Sequence, residues 1–346
     1  MTVDINPLPM QALELQTGFF KLIKERLPAH MSLVHEIAQL LNISSDSAYR
    51  RIRGEKTLRF DEIQLLVSHF KISLDQFFQL PSDTYFFFGD LLEKSKTDIR
   101  KTFRSLNEHL SIVLHSYKKE IAGYFNDIPF LYSCNFLPLA AFQCYLLEKK
   151  LMNGSEGGEI KFRVSSYGTL LGQELDKMAD AYSFIPSREI WNAGFMDHTL
   201  NQLEYCIAKG LFASDSDLNA VRDSMAGLID LLETQSLRKT KALPSKKNSE
   251  KAEAECLMYI NYDLPLSDML LVEADDLKIV GLQHNIINYA FTSDDYFVKY
   301  TKNSIDRVIN VSVRLDTLSP VAHQHFFNTL RKTLYDKNAR NGYAYY

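Results

Sequence analysis

Five basic side chains, Arg50, Arg51, Arg53, Lys56 and Arg59, fall within ten positions that hold one acid, Glu55. A guanidinium can donate two parallel hydrogen bonds to a guanine edge or a phosphate, while an ammonium meets phosphate as a point charge. Arg50 is placed to read guanine, and Arg53 and Lys56 lie nearer a nucleic-acid backbone. Just upstream, Ser45 and Ser47 can donate or accept at base edges or phosphates. Asp46 can accept from cytosine or favour a helix N-terminus through the helix dipole. Tyr49 flanks the set and either packs on a neighbouring helix or touches DNA.

This chemistry needs a rigid rod to present it. Apolar residues at helical spacing, broken by turn residues, predict five short helices over residues 11–78. Within them IAQLLNISSDSAYRRI has helix-turn-helix spacing: Ala38 is small where two backbones cross, Leu41 and Ile43 bracket the turn, and Asn42 tolerates the left-handed conformation. Ser44 is the expected N-cap of the next helix, about 45–53, and Gly54 its stop. At about 100° per residue, burying Ala48 and Ile52 turns Asp46, Ser47, Arg50 and Arg53 outward, with Tyr49 beside them.

RIRGEKTLRFDEIQLLVSHFKISLDQFF follows this turn, with a glycine after the second helix, a further helix, and Leu-Asp near the last one. Over residues 33–78 the chain resembles the Cro and phage-repressor-like helix-turn-helix family. That resemblance implies a five-helix DNA-binding domain and transcription control. Two positions depart from the pattern. Val34 stands where many relatives carry a DNA-contacting Gln, and Arg51 falls where an apolar core residue is usual, with Ile52 expected to replace it. NDIPFLYSCNFLPLAAFQ, IPSREIWN, LNQLEYCIAKGLF and SPVAHQHFFNTLRKTL resemble the long C-terminal region of a set of bacterial regulators.

With 346 residues the chain has length for two or three folding units, and its 46% hydrophobic content excludes a disordered or collagenous protein. The net charge of −4 means that any attraction to nucleic acid is local, as in the cluster above. Cys134, Cys144, Cys206 and Cys256 show no metal or disulfide spacing, and no run approaches a membrane span, so a cytoplasmic protein without membrane contact is expected. The expected fold is α+β and mainly helical, the five-helix domain followed by a larger helical region with a small antiparallel sheet. Its expected divisions are 1–80 for DNA binding, 84–236 mainly helical, 237–254 a linker or hinge, 255–335 an α+β region packed with 84–236, and 336–346 a tail.

His323 and His325 point to different sides of a helix and make a poor metal pair, and Trp191 reads as core. His284, Asn285 and Asn288 read as a strand-turn-strand link; Asp275-Asp276 and Asp294-Asp295 read as turns or caps. No nucleophile, dinucleotide or zinc motif is present, so neither enzyme nor cofactor is expected. The expected partners are double-stranded DNA and a second copy of the chain, with an effector possible at the C-terminal region. The other reading from the same residues is a protein-interaction or small-molecule sensor protein whose N-terminal module does not bind DNA.

Overall fold

The computed structural model describes residues 12–27, 31–70, 72, 74–78, 85–89, 99–152, 160–241, 254–263, 268–285 and 288–336. These fall into two compact units that divide between Thr84 and Tyr85.

The first unit contains α1 (Ala12–Arg26), α2 (Leu33–Leu40), α3 (Ser45–Ile52), α4 (Phe60–Phe70) and α5 (Leu74–Phe77). Its core is Phe19, Phe20 and Ile23 of α1, Ile37 and Ala38 of α2, Ala48 of α3, Leu66 of α4, and Ile72. With the half-buried Leu33 and Val34 of α2, Ile52 of α3 and Phe70 of α4 these positions follow three- and four-residue spacing, so each rod turns one stripe inward. Between α2 and α3 the chain reverses at Asn42, whose φ of 51° is left-handed, and the Ile43 amide returns to the Ala38 carbonyl at 2.9 Å. After α3, Gly54 takes φ +76° against α1; a Cβ there would lie 2.0 Å from the Leu13 side chain. The left-handed φ is what favours glycine here.

The second unit is built on a seven-stranded sheet in the order β6-β5-β4-β1-β2-β3-β7. The chain runs α6 (Ile99–His115), β1 (Lys119–Phe125), α7 (Phe130–Ser133), α8 (Leu137–Met152), α9 (Ser165–Ser183), β2 (Ser187–Asn192), α10 (Asp197–Ala208) and α11 (Asp215–Arg238). It continues through β3 (Cys256–Asn261), β4 (Met269–Ala274), β5 (Leu277–Gln283), β6 (Tyr289–Thr292), α12 (Asp295–Val311), β7 (Val313–Arg314) and α13 (Pro320–Tyr335). The central strands β1, β2 and β3 are parallel, while β4, β5, β6 and β7 pair antiparallel. Parallel neighbours require long crossovers, supplied by α7–α9 and by α10–α11.

This corrects the expectation of a helical region with a small antiparallel sheet. The sheet is mixed, and it takes β1 and β2 from the segment expected to be mainly helical. SREIWN, which forms β2, carries Arg188 and Glu189 in a six-residue strand, so it lacks the apolar run that marks a buried strand. The expected linker at 237–254 begins within α11, and its described ends are tied together. The Lys241 amide donates to Ala254, the Cys256 amide donates to Lys239, and Thr240 pairs with Glu255. Residues 242–253, and the expected tail beyond Asp336, lie outside the described residues.

Strand alternation sorts the two faces. Ile121, Phe125, Trp191, Met258 and Ile260 enter a large core with residues of α6–α11 and α13. Ala122, Tyr124, Ile190 and Tyr259 face α12 through Val298 and Ile305. The same alternation sends Arg188 to the α12 side, where it holds Glu120 through two 3.0 Å hydrogen bonds and Asp306 at 2.8 Å. Glu189 is sent into the large core.

Candidate nucleic-acid interface

The Ser44 hydroxyl caps α3 by accepting from the Ser47 amide at 3.2 Å. Ala48 is buried, as its size requires, Ile52 is half-buried and packs against the same core, and Arg51 is buried as well. Arg51 brings its own counter-charge: Nε donates to Glu62 of α4 at 3.0 Å and Nη2 at 2.7 Å. Its Nη1 donates to the Ser47 carbonyl at 3.1 Å and to the Ser47 hydroxyl at 2.6 Å. The Arg51 hydrogen bonds hold the Glu62 carboxyl below the usual carboxylate range. A polar residue thus fills the place the sequence pattern reserves for an apolar one, and Ile52 packs against the core beside it rather than in its stead.

Turning Arg51 inward fixes what faces outward. Ser45 and Asp46 are exposed on the first turn. Arg50 and Arg53 have side chains 54% and 59% exposed. Tyr49 is also exposed, and the Arg53 guanidinium stands 5.2 Å over its ring, so Tyr49 braces Arg53 through a cation–π contact. Ser47 is half-buried with its hydroxyl taken by Arg51, which gives its side chain an interior role. Lys56 is exposed on the following turn, where its amide donates to the Arg50 carbonyl at 3.2 Å. Arg50 and Arg53 converge on one acid. Glu55 lies 3.8 Å from Arg50 and 3.4 Å from Arg53, while Arg59 is paired with Asp61.

Sequence reasoning missed Gln16 of α1, which holds this face from behind. Its Nε2 donates to the Arg51 carbonyl at 2.7 Å and the Lys56 carbonyl at 2.8 Å, and its Oε1 accepts from the Leu58 amide at 2.9 Å. No local pattern announces a glutamine that bonds a turn forty residues away.

Among the buried polar residues of the second unit, two carboxyl groups were not revealed by the sequence. The first is Glu189, fully buried on β2. Its oxygens accept from Tyr182 Oη, Ser187 Oγ and Tyr132 Oη at 2.7 Å each, and from Trp191 Nε1 at 3.2 Å. Lys241 Nζ, also buried, lies 3.7 Å from Glu189 and 3.1 Å above the Tyr182 ring. Burial pushes the Lys241 ammonium down to about 8, against the pull of Glu189. The neighbouring Cys256 thiol is pushed up to about 12 by burial, which keeps it unreactive.

The second buried group is Asp268, 4% exposed. Its Oδ1 accepts from the Asn126 amide at 2.6 Å, and its Oδ2 has no hydrogen-bond partner among the described residues. Burial, reinforced by Asp127, raises its carboxyl to about 7. A carboxyl raised from 3.8 to about 7 keeps its proton in the fold where the unfolded chain has lost it. Its ionisation therefore destabilises progressively from about pH 4 to pH 7, and the whole cost is present above that. Asp268→Asn is expected to stabilise the protein by about 2–3 kcal/mol at pH 8 and by little at pH 4, read by urea denaturation at both values. An equal change at the two pH values contradicts the assignment.

Other candidates take structural places. His323 is buried, with Nε2 2.9 Å from Ser236 Oγ, while His325 is exposed on the same helix. Trp191 is core, Asp294 caps α12, and Asp275 sits in the β4–β5 turn with φ 50°. His284, Asn285 and Asn288 close on one another between β5 and β6 through backbone and Asn285 hydrogen bonds. An apolar cavity beside Trp191, lined by Phe195, Leu232, Met258 and Phe327, measures about 10 Å³, the room of one water. Among the described residues no helix is long and apolar enough to cross a membrane, and no group of three or more His, Cys, Asp or Glu is placed to hold a metal ion. Comparison with protein-family models, with curated proteins and with solved structures finds no match to this chain.

Proposed function

We propose that the chain is a sequence-specific DNA-binding transcription regulator that lays α3 in the major groove. The reading is carried by one observation: a capped helix turns Arg51 inward and leaves Ser45, Asp46, Tyr49, Arg50 and Arg53 on a single open face. Eight residues make a rod about 12 Å long, and an α-helix, about 10–12 Å across with its side chains, fits the major groove, about 12 Å wide. Arg50 reads a base edge, Arg53 and Lys56 hold phosphates, and the likeness to Cro-type domains supplies the regulatory role. One such module reads few base pairs, so two copies are proposed to span half-sites about 34 Å apart. The C-terminal unit is proposed for dimerisation, for signal sensing, or for both.

Gel shifts with genomic fragments test this. Arg50→Ala is expected to cost about 1–3 kcal/mol and relax base choice at one operator position. Lys56→Ala weakens all sequences alike and lowers the salt slope by about one. Equal losses on specific and random DNA for Arg50→Ala contradict the assignment of base reading to that residue, and no retention of any fragment removes the whole proposal.

Glu55 gives a test of opposite sign. Its carboxylate competes with phosphate for Arg50 and Arg53, and an exposed pair of this kind is worth about 0.2–1 kcal/mol. Glu55→Gln is therefore expected to tighten DNA binding about two- to fivefold, most at low salt, as followed by fluorescence anisotropy. Weaker binding in this variant would place the guanidiniums away from the DNA.

A further inference from the structure

We infer that residues 85–89 form the pairing edge of a homodimer and meet the same segment of a second copy across a two-fold axis. Phe88 exchanges two backbone hydrogen bonds with Phe291 of β6, at 2.8 and 2.7 Å, so residues 85–89 run antiparallel along the outside of the sheet. Gly89 permits this approach, since a Cβ there would lie 2.8 Å from the Tyr289 carbonyl oxygen. In an antiparallel ladder the residues on either side of a bonded pair turn their N–H and C=O groups the other way. Phe87 and Gly89 therefore present theirs outward from the sheet.

Such edges are ordinarily blunted by charge, proline or a bulge. This one reads Tyr-Phe-Phe-Phe-Gly and has no charged residue. Tyr85 and Phe87 lie on the α12 side, 5.0 and 5.5 Å from Phe297, whereas Phe88 lies against Phe291 at 6.2 Å. Tyr85, Phe86, Phe87 and Phe88, with Tyr296 and Tyr300 of α12, are each between 37% and 68% exposed. At roughly 200 Å² per aromatic side chain these six offer about 600 Å², beside the roughly 800 Å² each partner buries in a stable interface. The backbone of the strand adds to this area.

The shape of this surface selects its occupant. Aromatic rings stand on both faces of a backbone edge that, among the described residues, pairs only inward with β6, so the occupant must bring a strand with apolar side chains on both of its faces. Residues 85–89 are such a strand. Two antiparallel copies are self-complementary about a two-fold axis, which is the geometry of a closed dimer. The inference extends the DNA-binding reading, from which the need for two copies comes, and mass measured without DNA keeps the two separable.

Sedimentation equilibrium of the full chain, without DNA, is expected to give twice 39.8 kDa at micromolar concentration. Phe87→Pro removes an outward N–H and spares the Phe88–Phe291 bonds, and Phe86→Lys sets a charge on the edge. Each is expected to weaken the dimer at least fivefold. In the unaltered chain, exchange of the Phe87 and Gly89 amides slows as concentration rises, a readout that needs no variant. A monomer throughout, a dimer weakened less than fivefold by both substitutions, or exchange indifferent to concentration overturns the inference. A dimer that retains no DNA leaves it standing and removes the DNA-binding reading alone.

Discussion

Glu62→Ala is expected to destabilise the N-terminal unit by about 3–5 kcal/mol, because it strands the Arg51 guanidinium in a core with no counter-charge. Two charge-assisted bonds from Arg51 go, and the Arg59 amide loses the acceptor it finds 3.0 Å away on the same carboxylate. Hydrogen exchange in the full chain reads this loss as protection of the α1–α4 amides falling by about two to four orders of magnitude. Arg51→Leu with Glu62→Leu removes both charges, and most of the protection is expected to return, since well-packed apolar replacements of a buried pair are often neutral. If Glu62→Ala leaves exchange within threefold of the unaltered chain, the pair is not buried as described. The single variant also tests positioning: with Arg51 released, α3 is free to roll about its axis. DNA affinity then falls even though every outward side chain is still present.

That pair marks where sequence reasoning stops in the first unit. The helix-turn-helix was legible because its determinants are local: the Ser44 cap, the left-handed Asn42, Gly54 against α1, and apolar spacing through α2 and α4. The rotation of α3 was not fully legible. It depends on Arg51 meeting Glu62 eleven residues on, and an arginine followed by isoleucine reads more simply as exposed then buried. In the second unit periodicity marks the helices α8 to α11, and short apolar or alternating runs mark the strands β1 and β3 to β6, while β2 and the parallel pairing of the sheet carry no such signal. Strand β2 owes its place to partners on both sides, β1 and β3, and its buried Glu189 breaks the apolar pattern that would have announced it. The carboxylate's partners come from Tyr132, Tyr182 and Lys241, which only the crossovers bring together.

The same network gives the other large expected effect. Removing Glu189 takes away the acceptor of two tyrosine hydroxyls, a serine hydroxyl and an indole N–H, and leaves the Lys241 ammonium buried without an opposite charge. Glu189→Ala is expected to cost about 4–5 kcal/mol or more in urea denaturation, near the upper end for breaking a buried ion pair. Lys241→Met is expected to cost less, because the carboxylate keeps four neutral donors after the ammonium is gone. The pH dependence separates the lysine's part. Lys241 is held at about 8 in the fold and near 10.5 in the unfolded chain, so between those values the unfolded state binds the extra proton. Stability from this group therefore rises as pH climbs from 8 to 10.5, and below 8 the full cost of the buried ammonium is present. Tyr132 and Tyr182, raised by burial, titrate in the opposite sense in both proteins and cancel in the comparison. The stability of the unaltered chain minus that of Lys241→Met should accordingly grow by about 2–3 kcal/mol over this range. A difference that is flat with pH would mean that Lys241 reaches water, and the buried pair with Glu189 would have to be abandoned.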